Sequence, residues 1–324
     1  MTNPVAGEYR SRMTGLVVFG VLEIVMGALC LLAAAFMLLG GLVASRTGGA
    51  GLQMRALIPA LGLYVVTGGG AIWLGVGSIL ARRWARALWV CLSGAGLVMG
   101  VVALPFGFFV AANLPRQMAA TGQRELPPAA AVIIQVMTVG IMLIFYVAIP
   151  GVLFLFYRSP HVRRTCEVQD PVERWTDRCP LPVLALSLMA AIGAVGMLAL
   201  LGFGGFFPLF GTYATGIAGG ALILLAGGLM LACARGLYRL RIGAWWGLLV
   251  LMVILSASSS ITYWRADFGE LYARMGFDSR TVAAASQFGN MDLIRWMGPV
   301  WAVPWLVWLL YVRRYFRKGP AACD

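Results

Sequence analysis

The sequence predicts an all-α polytopic integral membrane protein of about eight transmembrane helices, built as two tandem, parallel four-helix repeats. Three observations predict it. The chain is 61% hydrophobic and only 11% charged, against about 25% charged in soluble domains. Apolar runs of roughly 20 residues, the length that crosses a bilayer core, recur along all 324 residues. Short motifs of the first half then return, in the same order, in the second.

The expected spans are 13–43, 57–81, 86–112, 129–157, 182–209, 212–234, 242–264 and 292–312. The first is about twice as long as a signal-peptide core, so it is expected to stay as a membrane helix. Assigning the loops alternately to two sides gives a charge asymmetry. One side holds 17 cations, from Arg10 and Arg12 through Arg82, Arg83 and Arg86 to Arg313, Arg314, Arg317 and Lys318; the other holds 8. The cation-rich side is cytoplasmic by the positive-inside rule, which puts both termini there. A multi-pass protein of a bacterial inner membrane is expected, with lipid as its surroundings. The net charge of +13 is thereby explained without nucleic acid, since the cations lie in short loops and form no basic face.

Duplication organises the chain. Val147-Ala148-Ile149-Pro150 through Tyr157 returns as Trp301-Ala302-Val303-Pro304 through Tyr311, with the shared Ala, Pro and Tyr each 154 positions apart. Gly69-Gly70-Ala71 returns as Gly219-Gly220-Ala221, and the basic turn Arg82-Arg83-Trp84-Ala85-Arg86-Ala87-Leu88-Trp89 resembles Arg239-Leu240-Arg241-Ile242-Gly243-Ala244-Trp245-Trp246. The units are then 1–157 and 182–324, and each enters from the same side, so the repeats are parallel. Pro150 and Pro304 each remove a helix hydrogen bond, predicting a kink in both halves. Small residues four apart, Ala71 with Gly75, Gly96 with Gly100 and Gly216 with Gly220, mark expected close helix contacts. The outer loops 113–128 and 265–290 are positional equivalents, and Phe268, Leu271, Tyr272 and Met275 in the second are spaced as an amphipathic helix.

Between the units lies a charged joint, 158–181. Ser159-Pro160 reads as an N-cap with proline at N1, and Asp170-Pro171-Val172-Glu173 as a second such start. Two short helices are expected. Arg158, Arg163, Arg164, Arg174 and Arg178 against Glu167, Asp170, Glu173 and Asp177 allow internal salt bridges, with Trp175 as a headgroup-level anchor. These are the candidate joint or partner contacts, and a structured clamp is expected rather than a flexible linker.

Candidate chemistry is sparse. Glu23 is a carboxylate inside an apolar span, about ten residues or roughly 15 Å along its helix. A charge there is costly unless neutralised, paired or hydrated, so the default reading is functional. Polar residues elsewhere in the spans are Thr67, Gln135 and the seventh-span group Ser256, Ser258, Ser259, Ser260 and Thr262; with Glu23 they form the candidate intramembrane polar site. His161, Cys166 and Cys179 are weak zinc candidates, because their spacing matches no standard module and no CxxC pair exists. No metal and no cofactor is expected. The six cysteines are scattered, which gives no disulfide framework. HExxH, GxSxG and phosphate-loop motifs are missing, as is a pair of intramembrane aspartates.

The leading expectation is therefore a non-enzymatic membrane component, a scaffold or subunit whose joint and outer loops bind partner proteins, a second copy or lipid. The alternative is a small-molecule or ion permease using Glu23. A further alternative is a lipid-active enzyme that holds headgroups with Arg82, Arg83, Arg86, Arg239 and Arg241.

Overall fold

The computed structural model of the chain describes residues 11–46, 54–120, 128–265 and 291–316. It is helical almost throughout. The elements in order are α1 (Met13–Arg46), α2 (Met54–Ile79), α3 (Arg83–Ala120), α4 (Pro128–Leu143), a π-helical turn (Ile144–Ala148), α5 (Ile149–Arg158) and α6 (Pro160–Gln169). Then come α7 (Leu181–Met197) with a 3-10 extension (Leu198–Phe203), the hairpin strands β1 (Phe207–Leu209) and β2 (Thr212–Ala214), α8 (Gly216–Tyr238), α9 (Ile242–Arg265) and α10 (Met291–Val312).

Among the described residues, seven helices are long and apolar enough to cross a membrane, from Met13–Val43 to Ile242–Arg265. Their outward surface carries Leu29, Phe36, Leu63, Val66, Val136, Leu155 and Leu224, all exposed. Water does not tolerate such a continuous apolar surface, which is suited to lipid tails. The proposed amphipathic helix at 268–275 and most of the second outer loop lie outside the described residues. Much of the first outer loop is instead a continuation of α3 as far as Ala120.

Packing divides the chain into two compact units. One runs to Gly94 and takes up Val152–Ala185; the other holds Ala95–Gly151 and the chain from Leu186 onward.

In the first unit, α1 and α2 are held along a seam of four glycines. A Cβ on Gly20 would come within 2.7 Å of the Gly75 carbonyl oxygen, and one on Gly27 within 2.6 Å of the Gly68 carbonyl. The reverse substitutions meet the same obstacle, at 2.7 Å and 2.8 Å. The rising numbers on one helix pair with falling numbers on the other, so the helices are antiparallel, with one glycine from each every seventh residue. At these four glycines the two backbones lie close together, and lipid offers no competing hydrophobic drive, so packing decides. Of the glycines expected from four-residue spacing, Gly75 belongs to this seam and Gly100 lies against the Tyr146 carbonyl. Gly96 and Gly220 make only ordinary contacts, and Gly216 faces open space with a positive φ. Spacing alone finds small residues but not which face they occupy.

The connections α2–α3 and α8–α9 share one geometry. Ala81 and Leu240 adopt left-handed φ values of 50° and 55°. The next residue in each case, Arg82 or Arg241, donates its N–H back to the carbonyl of Gly77 or Gly236 at 2.9 Å. That closes the helix with a Schellman-type cap on a non-glycine residue. In both turns the glycine abuts the alanine that opens the following helix, Ala85 or Ala244.

The two prolines behave differently. Before Pro150 the chain forms the π-helical turn, with the Ile149 N–H reaching the Ile144 carbonyl. Pro150 cannot serve the Tyr146 carbonyl, and that oxygen packs against Gly100, where no side chain stands in the way. At Pro304 the helix assignment is unbroken through Val312. The expected matching kinks therefore reduce to one local rearrangement, since the second site has no counterpart of that turn.

The fifth span ends earlier than expected. From Phe207 to Ala214 the chain is an antiparallel hairpin with Leu209 opposite Thr212, turning on Phe210 and Gly211 with φ of 43° and 100°. Positive φ at both turn residues matches the right-handed strand twist.

The seam yields a test. Gly20→Leu and Gly75→Leu are expected to destabilise the protein by about 1–3 kcal/mol through overpacking. Gly62→Leu, at a position with nothing within 4 Å, is expected to leave the melting temperature in detergent unchanged; equal shifts in all three would refute the seam.

Candidate functional site

The polar machinery of the first unit is concentrated at the end of the bundle that carries the joint. α6 starts where Ser159-Pro160 places it, with Pro160 in the first turn. The second expected helix does not form: residues 170–180 are turns. The reason is the use of Asp170. Its side chain does not cap a helix but accepts Arg174 Nη2 at 2.8 Å and Arg174 Nε at 3.1 Å. The Arg83 backbone N–H donates to it at 3.4 Å, and Arg82 Nη1 stands 3.6 Å away. Asp170 is only 2% exposed, and a buried carboxylate is tolerable only with such paired, hydrogen-bonded surroundings. The bidentate Arg174 fork is the strong form of that pairing.

Asp170 thus ties the joint to the α2–α3 turn, and further bonds complete the docking. The Arg12 N–H donates to Thr165 Oγ1 at 3.1 Å, and Arg83 Nη2 to the Glu167 carbonyl at 3.4 Å. Arg86 Nε donates to the Tyr157 carbonyl at 3.1 Å, and the Cys91 thiol to the Leu181 carbonyl at 3.6 Å. Beneath them Leu16, Ala81, Val90, Tyr157, Val162 and Cys166 form one buried cluster. α1, α3, α5 and α6 therefore share a core at this end.

Glu23 lies at the same end. It is 5% exposed, and it accepts the Tyr157 hydroxyl at 2.8 Å and the Ser78 hydroxyl at 3.1 Å. Those two hydroxyls are themselves 2.7 Å apart. Ser78 and Tyr157 are each the next-to-last residue of α2 and α5. The carboxyl is therefore level with the ends of α2 and α5, although it lies about ten residues into α1. α1 simply reaches further, carrying Leu16 into the core beside Val162. The Trp89 ring stacks on Tyr157 with centroids 6.0 Å apart. Its buried N–H has no hydrogen-bond partner among the described residues. With Tyr157 donating to one carboxyl oxygen and Ser78 to the other, each oxygen of Glu23 accepts a hydrogen bond.

The other polar residues expected near Glu23 have different roles. Thr67 is exposed on α2, and Gln135 donates to the Ala112 carbonyl at 3.2 Å. Ser258 and Thr262 hold the hairpin: Ser258 Oγ accepts the Phe210 N–H at 3.1 Å and donates to the Pro208 carbonyl at 2.8 Å, while Thr262 Oγ1 accepts the Gly211 N–H at 3.0 Å. Ser256 and Ser259 border a shallow groove beside Trp301 and Trp305, and Ser260 is half-buried. The partners Ser78 and Tyr157 were missed because each falls at the edge of its apolar run, where a hydroxyl reads as an interfacial residue.

In the joint, Arg163, Arg164, Glu173, Trp175 and Arg178 are exposed, whereas Cys166 and Cys179 are buried. Arg163 pairs with Glu167 at 2.8 Å, and Arg83 approaches Asp177 at 4.0 Å. Asp177 also accepts the Arg174 N–H at 3.0 Å. Hydrogen bonds from Arg174 hold the Asp170 carboxyl below the ordinary range, and those from Arg163 do the same for Glu167. Burial pushes the Cys166 thiol up to about 11. Among the described residues no three His, Cys, Asp or Glu side chains converge as a metal site, so His161, Cys166 and Cys179 do not meet as ligands.

Between α3, α6 and the joint is a cavity of about 360 Å³. Arg83, Arg86, Arg163, Glu167, Glu173 and Asp177 line it, together with Thr176. No family model matches the chain, and neither a curated protein nor a solved structure matches it.

Two outcomes follow. Tyr157→Phe is expected to cost about 1–3 kcal/mol by leaving buried polar partners unmatched, and Glu23→Gln, which keeps a donor and an acceptor there, distinctly less; thermal unfolding of the two variants in detergent checks the order. Asp170 has a lowered folded-state pKa, so its stabilisation is complete above the ordinary carboxylate value of about 3.9 and is lost as pH falls through the lowered one. Hydrogen exchange of 170–180 should stay slow from neutral pH to about that value and accelerate below it, and Asp170→Asn should make Cys166 and Cys179 maleimide-reactive at neutral pH.

Proposed function

We propose that this protein is a non-enzymatic, multi-pass component of a bacterial inner membrane whose joint is a rigid platform for a partner protein or lipid. The observation that carries this reading is the docking of the joint. Asp170 and its arginines lock 158–181 onto the helix ends, while the cavity and an apolar surface are left facing outward. Val168, Val172 and Trp175 are exposed there, outside the helices that suit lipid tails. A segment that merely links two halves does not need a buried carboxylate with three guanidinium or amide donors to hold its shape.

In this proposal α10 is the eighth crossing, both termini and the joint are cytoplasmic, and the halves descend from one four-helix unit. The matching α2–α3 and α8–α9 turns support the duplication. The permease reading draws its support from Glu23, yet that carboxyl is matched by Ser78 and Tyr157 at the joint end. A self-contained cluster of that kind serves architecture without requiring a solute path.

A photoreactive amino acid at Val168 or Val172 tests the platform in intact membranes. Discrete adducts with lipid or with a polypeptide are expected at both sites, surviving Glu23→Gln. Adducts at neither site, together with solute uptake into proteoliposomes that Glu23→Gln abolishes, would replace the platform with a permease.

A further inference from the structure

The cavity at the joint has a composition that selects among ligands. Its lining carries three arginines and three carboxylates, so its formal charge cancels and a simple anion gains nothing from the net field. Most of these charges are already matched with each other. Arg163 bonds Glu167, and Arg83 is near Asp177. Two are not. Arg86 uses Nε on the Tyr157 carbonyl, which leaves both its Nη groups without a hydrogen bond among the described residues. Glu173 has no ion-pair partner among them.

Two further polar groups at the same wall are unmatched. Thr176 is 1% exposed, and its Oγ1 has no hydrogen-bond partner; nor has the buried Arg83 Nε. A buried hydroxyl without a partner is costly, and a site with two such groups among its lining residues is suited to something that completes them. The cavity volume falls within the about 300–1,000 Å³ of small-molecule sites.

We infer that the cavity binds a zwitterionic phosphate ester bearing a primary ammonium, the phosphoethanolamine group, with its phosphate on Arg86, Arg83 and Thr176 and its ammonium on Glu173. This deepens the platform reading and rests on it. Arginine and hydroxyl donors suit phosphate oxygens, and an unpaired carboxylate suits an ammonium with protons to donate. A trimethylammonium headgroup has no such protons and relies on aromatic faces, and the residues lining this cavity include none. The cavity is bounded by Ala87, Pro180 and Leu181, and α3 and α7 lead from there into the membrane, so phosphatidylethanolamine and free phosphoethanolamine share the recognition chemistry.

The full chain in nanodiscs of equal parts phosphatidylethanolamine, phosphatidylglycerol and phosphatidylcholine, ejected for native mass spectrometry, gives the test. Wild type is expected to retain phosphatidylethanolamine preferentially. Arg86→Gln and Glu173→Gln should each lower that retention about tenfold, and Glu173→Gln, which leaves the lining net positive, should turn the preference toward phosphatidylglycerol. Glu173 is exposed and makes no ion pair, so its variant remains informative if Arg86→Gln does not fold. Millimolar phosphoethanolamine bound by calorimetry, without retained lipid, would assign the free ester as the ligand by the same chemistry. Equal retention of the three lipids with no binding of free phosphoethanolamine, or an unchanged preference in Glu173→Gln, overturns the inference. Should adducts at Val168 and Val172 persist in that case, the platform stands without this ligand; should they also be missing, both fall.

Discussion

In hydrocarbon no water is available to satisfy a backbone or side-chain polar group, so each departure from regular apolar helix must be matched from within the protein. Two irregular features show how that demand is met. The Phe210-Gly211 turn donates its N–H groups to hydroxyls on α9. Glu23 closes a ring with Ser78 and Tyr157. In each case the matching group comes from another helix, so local irregularity fixes tertiary arrangement as well as chain direction.

The joint extends the same logic beyond the apolar helices. Its buried carboxylate is worth little as a source of net stability, because desolvation offsets attraction. What it supplies is position: with Arg174 on one side and the α2–α3 turn on the other, the segment has one low-energy place to lie. Arg82, Arg83 and Arg86, which topology alone places on this side, become structural contacts in addition to charge labels. A platform with fixed side chains can select a ligand by shape and charge, whereas a floating basic loop attracts any anionic surface.

Hydropathy made the crossings legible, since a run of apolar residues is nearly sufficient for a membrane helix. It also located the joint, the N-terminus of α6 at Ser159-Pro160 and the departure from regular helix at Pro150. Three things stayed hidden, each because a side chain chose a distant partner over a local one. Asp170-Pro171 resembles a helix start, but the carboxylate is drawn to Arg174 and Arg83. The serines of α9 resemble a polar stripe, yet two of the hydroxyls hold a hairpin that Pro208, Phe210 and Gly211 could have signalled. Glu23 was found, while its partners were not: helix rise measures distance along one helix, and α1 begins well beyond the ends of its neighbours.

The sequence separations within the Glu23 cluster carry a consequence for biogenesis. The glycine seam joins α1 and α2 alone, so these two can pair as soon as the second has left the ribosome and entered the bilayer. Ser78, 55 residues from Glu23, arrives with that pair. Tyr157, 134 residues away, is not yet made. During synthesis the carboxyl therefore waits with half of its final partners, and the same hydroxyl that completes the ring is on the residue from which the chain turns into the joint. Closure of the cluster and docking of the joint are in this way a single late event, after which Glu23 has both of its hydroxyl partners.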